Sequence, residues 1–235
     1  MWARAVLTVA LRGPGKALLL ASALGWIAMA WMLAGDGHPH AMSHAPDRFA
    51  AVWLAMILAM APPMLLREIG RLWRASLRRL RGLTIAWFSG GYVAVWLAAG
   101  AGLGLLAEWV ARGPQRITAA VALVALWQCS PARQRCLNSC HRPPTLRVFG
   151  AAAQWDALRY GISTGVTCAA SCGPVMLLVL LVDGHHLAAM ALATVVATLE
   201  RYWHARSPGW RLPFSRGRSF GWLDPGPMVG RFAGS

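Results

Sequence analysis

The sequence predicts an all-α fold, a polytopic transmembrane helical bundle of about six spans. Three observations predict it. Hydrophobic residues make up 57% of the chain against 13% charged, with mean hydropathy +0.47, a balance that suits a lipid-solvated chain rather than a soluble core. The apolar residues are gathered into runs near the ~20 residues that a helix needs to cross a bilayer. The cations sit between those runs: the formal charge of +15 is almost wholly arginine, with Lys16 the only lysine. Arginines at the ends of apolar runs are topology signals and headgroup contacts, so nucleic-acid binding is not expected.

In chain order, the basic Met1–Lys16 segment precedes a first span, Ala17–Ala34. The length of that run and the further spans after it argue for a retained helix rather than a cleaved signal peptide. A short polar loop, Gly35–Asp47, carries His38, His40, Met42 and His44, and Ala50–Leu66 is a second span closed by Pro62-Pro63. Arginines at 67, 71, 74, 78, 79 and 81, with Ile69, Leu72, Trp73 and Leu77 between them, predict a short interfacial amphipathic helix. Leu83–Ala107 is a third, glycine-rich span in which Gly100 and Gly104 form a G-x-x-x-G pair suited to close helix approach. Ile117–Gln128, Gly161–Val182 and His185–His204 complete the six. Residues 1–205 thus form one transmembrane domain, and the basic Gly/Pro-rich stretch 206–235 is a cytoplasmic tail expected to be disordered.

The arginines also predict orientation. Twenty of the 23 Lys and Arg fall in the N-terminal segment, Arg67–Arg81, the Cys129–Tyr160 segment and the region from Arg201 onward, leaving Arg48, Arg112 and Arg116 on the other side. By the positive-inside rule both termini are cytoplasmic, and the His-rich loop faces outward.

All five cysteines lie in one stretch. Cys129 stands alone, while Cys136/Cys140 and Cys168/Cys172 share a C-x-x-x-C spacing. Four residues apart on a helix is one face, so two thiolates can grip one soft ion. A reducing cytoplasm disfavours structural disulfides and leaves metal binding or thiol redox chemistry. Copper as Cu(I) suits thiolate and thioether ligands best, with zinc the alternative for thiolates. Cys168 and Cys172 fall near the middle of a span beside Gly173-Pro174, where irregular backbone marks a site. Arg133, Arg135 and His141 are expected to lower the thiol pKa of Cys136 and Cys140. Met56, Met60 and Met64 repeat every fourth residue on the second span, a stripe that either ligates metal or only packs. His38, His40, Met42 and His44, at alternate positions, suit outer capture of copper or zinc.

Trp127-Gln128, Arg135-Cys136-Leu137-x-x-Cys140-x-x-Pro143, Gly161…Cys168-x-x-x-Cys172 and the closing Glu200-Arg201 resemble the bacterial "predicted metal-binding integral membrane protein" family, a domain of unknown function. The resemblance covers Trp53 to Arg201 and extends to Met56-x-x-x-Met60-x-Pro62. Tyr160-Gly161 stands where that family has His-Gly, and Ser171 replaces a late cysteine. The resemblance implies a multi-pass protein of the bacterial inner membrane.

The function expected is soft-metal binding for transport, delivery or metalloenzyme assembly, with no enzyme activity required. Its partners would be the lipid bilayer and a metallochaperone or membrane metalloenzyme subunit, with self-association left open. The rival reading is a membrane thiol–disulfide/quinone oxidoreductase using the same cysteine pairs. Against it, redox pairs usually sit at C-x-x-C, and these cysteines are not expected to face the oxidising side; the absence of a Walker A loop argues separately against pumping by an ATPase of its own.

Overall fold

The computed structural model describes residues 14–35, 46–141, 144, 146–147, 150–182, 185–202 and 208–210. Among the described residues there are seven helices and no strand. They are α1 (Gly15–Gly35), α2 (Pro46–Ala75), α3 (Arg81–Ala111), α4 (Pro114–Cys129), α5 (Pro131–Ser139), α6 (Gly150–Leu180) and α7 (His186–Tyr202). The all-helical bundle is as the hydropathy predicts. Four helices are long and apolar enough to cross a membrane: α1, α2, α3 and α6. The other two expected spans are helical but shorter, 16 residues in α4 and 17 in α7. At about 1.5 Å per residue they fall short of the ~30 Å hydrocarbon layer.

Two breaks expected from proline do not occur. The second span does not close at Pro62-Pro63, and no separate interfacial helix begins at Arg67, because α2 runs unbroken from Pro46 to Ala75. Likewise α6 continues through Gly173-Pro174 to Leu180. A proline inside a helix removes the N–H that would bond four residues back. Pro63 frees the carbonyl of Ala59, which accepts instead from the Ser22 hydroxyl of α1 at 2.6 Å. Pro174 frees the carbonyl of Ala170, which accepts from Trp127 Nε1 of α4 at 2.9 Å. Neighbouring helices thus supply the donors lost at Pro63 and Pro174, as apolar surroundings require.

Glycines set the closest crossings. A Cβ on Gly91 or Gly161 would strike the backbone of the partner helix, at Leu158 and Phe88 respectively, so α3 and α6 meet main chain to main chain. Phe88 and Tyr160 meet beside that crossing with rings tilted by 52° and centroids 5.1 Å apart. Gly25 makes the same kind of contact between α1 and α2, at Ala59. Gly100, half of the G-x-x-x-G pair, admits the Trp53 indole, whose Nε1 donates to the Trp96 carbonyl at 2.7 Å. Outward faces remain apolar, with Leu20, Trp31, Leu123 and Leu192 each more than 60% exposed.

The arginine-rich end of the bundle is locked by two ion pairs. Glu68 of α2 meets Arg201 of α7 at 3.3 Å, both nearly buried, and Arg133 of α5 pairs with Glu200. Arg133, 67 positions away in sequence, reaches Glu200 because α5 folds back over α6. Arg133 Nε also donates to the Ser171 carbonyl at 3.4 Å.

Two outcomes follow from this packing. Gly161→Ala should destabilise the detergent-solubilised protein by about 1–3 kcal/mol or more, since the Phe88 backbone cannot yield as a side chain would. Gly102→Ala, which meets nothing, should be neutral or gain up to ~1 kcal/mol of helix propensity. Thermal unfolding of the two variants side by side tests the pair. In the same assay Glu68→Ala or Arg201→Ala should each cost about 3–5 kcal/mol by stranding a buried charge, while a Glu68→Leu/Arg201→Met double change should recover most of the loss.

Candidate metal centre

Because α2 and α6 stay helical through their prolines, their fourth-residue spacings stay in register. On α2 the row is Met56, Met60, Met64. On α6 it is Cys168, Cys172, Met176. The two rows meet at a small apolar cavity of about 20 Å³ in the middle of the bundle. Met56, Met60 and Met64 line it from α2, and Cys172 and Met176 line it from α6. Tyr92 and Trp96 of α3 close the remaining side. All four methionines are buried to within 6% exposure. The space holds a single ion but nothing much larger than a water molecule.

Cys168 is one turn nearer the arginine-rich end and does not line the cavity. It is buried, and its Sγ accepts from the Tyr92 hydroxyl at 3.3 Å. Tyr92 therefore touches both the cavity and the next thiol along the row. Met176 carries no signal as an isolated methionine, yet it falls four residues after Cys172 and continues the C-x-x-x-C spacing by one step.

Cys136 lies in α5 and Cys140 caps its C-terminus; the helix start is fixed by Pro131 and by Ser130, whose side chain accepts from the Arg133 amide at 3.2 Å. They lie on one turn, with the Cys140 thiol directed to the Cys136 carbonyl at 3.7 Å. All five cysteines are free thiols. Among the described residues no three His, Cys, Asp or Glu side chains are arranged to hold a metal ion, so the two cysteine pairs do not gather into one four-thiolate cluster there. His38, His40, Met42 and His44 lie outside the described residues. His186, at the opposite end from the arginines, is buried with Nδ1 at 3.1 Å from the Val179 carbonyl.

A second, polar cleft of about 350 Å³ opens at the arginine-rich end. Cys140, Glu68, Arg159, Tyr160, Thr164 and Arg201 are among its walls. Tyr160, Thr164, Cys168, Cys172 and Met176 recur every fourth residue, so one stripe of α6 runs from this cleft to the sulfur cavity. The electrostatics of Cys140 differ from the sequence expectation. Burial pushes its thiol pKa up, the Cys168 thiol and Glu68 add to the rise, and Arg201 opposes it. His141 does not help as a cation, because burial and then Arg67 and Arg71 hold its pKa low. Arg67 Nη1 lies 3.4 Å from His141 Nδ1, and since arginine can only donate, that ring nitrogen is the unprotonated acceptor.

The chain matches the model of PpoB2, described as a copper chaperone, over residues 50–213, more than half of its length. It belongs to the PpoB2 copper chaperone family. The resemblance seen in the sequence thus leads to a metal-related family, under a description that specifies copper. The PpoB2 match spans both sulfur rows and both cysteine pairs, and begins beyond α1 and the His38–His44 loop. No curated protein and no solved structure matches the chain.

The raised Cys140 pKa has a measurable consequence for this PpoB2-family chain. Iodoacetamide should label Cys140 slowly at pH 7 and about tenfold faster per pH unit above it, with no plateau below the ordinary thiol value of 9.0. Mass spectrometry of the labelled Cys140 peptide reads the rate, and a plateau below that pH contradicts the burial argument.

Proposed function

We propose that the protein is an integral membrane copper chaperone that holds one Cu(I) in the sulfur cavity and passes it along the α6 stripe. The observation that carries this reading is the convergence of four buried methionines and one thiol from two helices on a space the size of an ion. A methionine stripe alone is ordinary packing, but two stripes whose sulfurs share a cavity with a cysteine suit a soft monovalent metal. Charge selects copper over zinc. One thiolate neutralises Cu(I), the thioethers add no charge, and the metal–thiolate unit is neutral in an apolar interior. A divalent ion with the same ligands would bury an uncompensated positive charge.

Cys168, one turn from the cavity, and Cys140, on the polar cleft, are then the next thiols on the route to the arginine-rich end. By the positive-inside rule that end, with both termini, would face the cytoplasm, and the resemblance seen in the sequence suggests a bacterial inner membrane. His38, His40, Met42 and His44 would capture the ion on the outer side. A membrane metalloenzyme awaiting its metal, or a metallochaperone, is the class of partner at either end of the path.

The reduced, detergent-purified protein should bind one Cu(I) per chain in competition with a chromogenic chelator. Met56→Leu/Met60→Leu keeps the volume and removes two thioethers, so affinity should fall at least about tenfold, as for loss of good ligands. Cys172→Ala should lose more, because the neutralising charge goes with the sulfur. Cys129→Ala, which lies in neither row, should bind as the wild type does. Undiminished affinity in the double methionine variant would remove the cavity from consideration.

A further inference from the structure

The polar cleft at the arginine-rich end is not explained by metal binding. Its floor carries a buried donor and a buried acceptor without protein partners. Arg201 Nε, in a residue 6% exposed, and Glu68 Oε2, in a residue 3% exposed, make no hydrogen bond, although the same two side chains pair through their other atoms at 3.3 Å. Nitrogens and oxygens so buried are ordinarily satisfied, and both residues line the cleft. At the exposed rim, Arg159 and Ser163 stand beside Asp156, whose carboxylate is taken on both oxygens by Arg147 at 2.8 and 2.7 Å. Cys140, half-buried, is also part of the lining. The volume, about 350 Å³, is at the small end of the ~300–1,000 Å³ typical of ligand pockets and too small for a docked protein domain.

We infer that this cleft binds a small zwitterionic thiol, an amino-acid or short-peptide thiol, that exchanges Cu(I) with Cys140. Each part of such a molecule has a counterpart. A carboxylate suits Arg159 at the rim or the free Nε of Arg201, an ammonium suits the free oxygen of Glu68, and hydroxyls of Ser163 and Thr164 suit amide or carboxylate groups. The soft end meets Cys140. The exchange balances without an oxidant: a copper–sulfur bond forms to Cys140 as the bond to the carrier breaks, the Cys140 proton leaves on the carrier thiol, and copper remains Cu(I). The inference rests on the copper reading above and names the small-molecule partner of that path.

The test uses full-length, metal-free protein in detergent, with reduced glutathione and S-methylglutathione as probes. S-methylglutathione can neither exchange metal nor form a disulfide, so its binding reports the cleft alone. It should bind saturably by calorimetry, at least tenfold more weakly to Arg159→Gln, and unchanged to Cys140→Ser. Cu(I) offered as its glutathione complex should load the wild type, and load Cys140→Ser at least tenfold more slowly. Cu(I) offered on a small chelator should load both equally. No saturable S-methylglutathione binding, or binding indifferent to Arg159→Gln, overturns the inference, as does equal loading of wild type and Cys140→Ser from the glutathione complex. Failure of the wild type to retain Cu(I) from the chelator is a different result and counts against the sulfur cavity instead.

Discussion

The sulfur rows exist because two helices remain helices through prolines that should break them. In an apolar interior a carbonyl that loses its backbone donor has no water to turn to, and leaving it unpaired costs several kcal/mol, on the order of what one buried ion pair is worth when broken. Ser22 and Trp127 supply donors to Ala59 and Ala170 from outside the two helices. Each does so at the level of the cavity: Ala59 lies between Met56 and Met60, and Ala170 between Cys168 and Cys172. With the helices unbroken, successive fourth residues follow one ridge, and five sulfur-bearing side chains line one cavity. The same two bonds dock α1 on α2 and α4 on α6, so the site and the packing order of the bundle share a cause.

Above that level the structure grades from apolar to polar along α6. Met176 and Cys172 face the sulfur cavity, Cys168 is held by the Tyr92 hydroxyl, and Thr164 and Tyr160 face the polar cleft. Successive side chains of this stripe are one helical turn apart, about 5–6 Å. The glycine crossing of α3 on α6 holds Tyr92 and Phe88 in place against this stripe. The buried Glu68–Arg201 pair ties α2 to α7 at the foot of it, where uncompensated charge would otherwise be costly.

Part of the site was legible in the residues. The C-x-x-x-C spacing and the methionine repeat each place sulfurs on one helix face, because both are local consequences of 3.6 residues per turn. Cys172, Met56 and Met60, candidates by that spacing, line the apolar cavity. Met64 was visible in the repeat. Met176 gives no signal by itself, because its place in the row depends on α6 continuing as a helix through Pro174. The relative roles of Cys168 and Cys172 were not legible, since residues 40° apart around a helix differ in what they face only once a neighbour is placed. The expectation that arginines and His141 would lower the Cys140 pKa failed for a related reason: sequence proximity gives charge but not burial, and here burial dominates.

The sequence by itself determined an all-helical chain with several apolar helices, the arginine-rich segments between them, and the sulfur spacing along α2 and α6. These depend on hydropathy and helical period, which are local. The tertiary structure alone decided that the two prolines are bridged, that Arg133 meets Glu200, and that α2 and α6 face each other across their sulfurs. Those outcomes depend on which helices cross, and the crossings are set by glycine contacts between residues about 70 positions apart, such as Gly161 on Phe88, where no local pattern reaches.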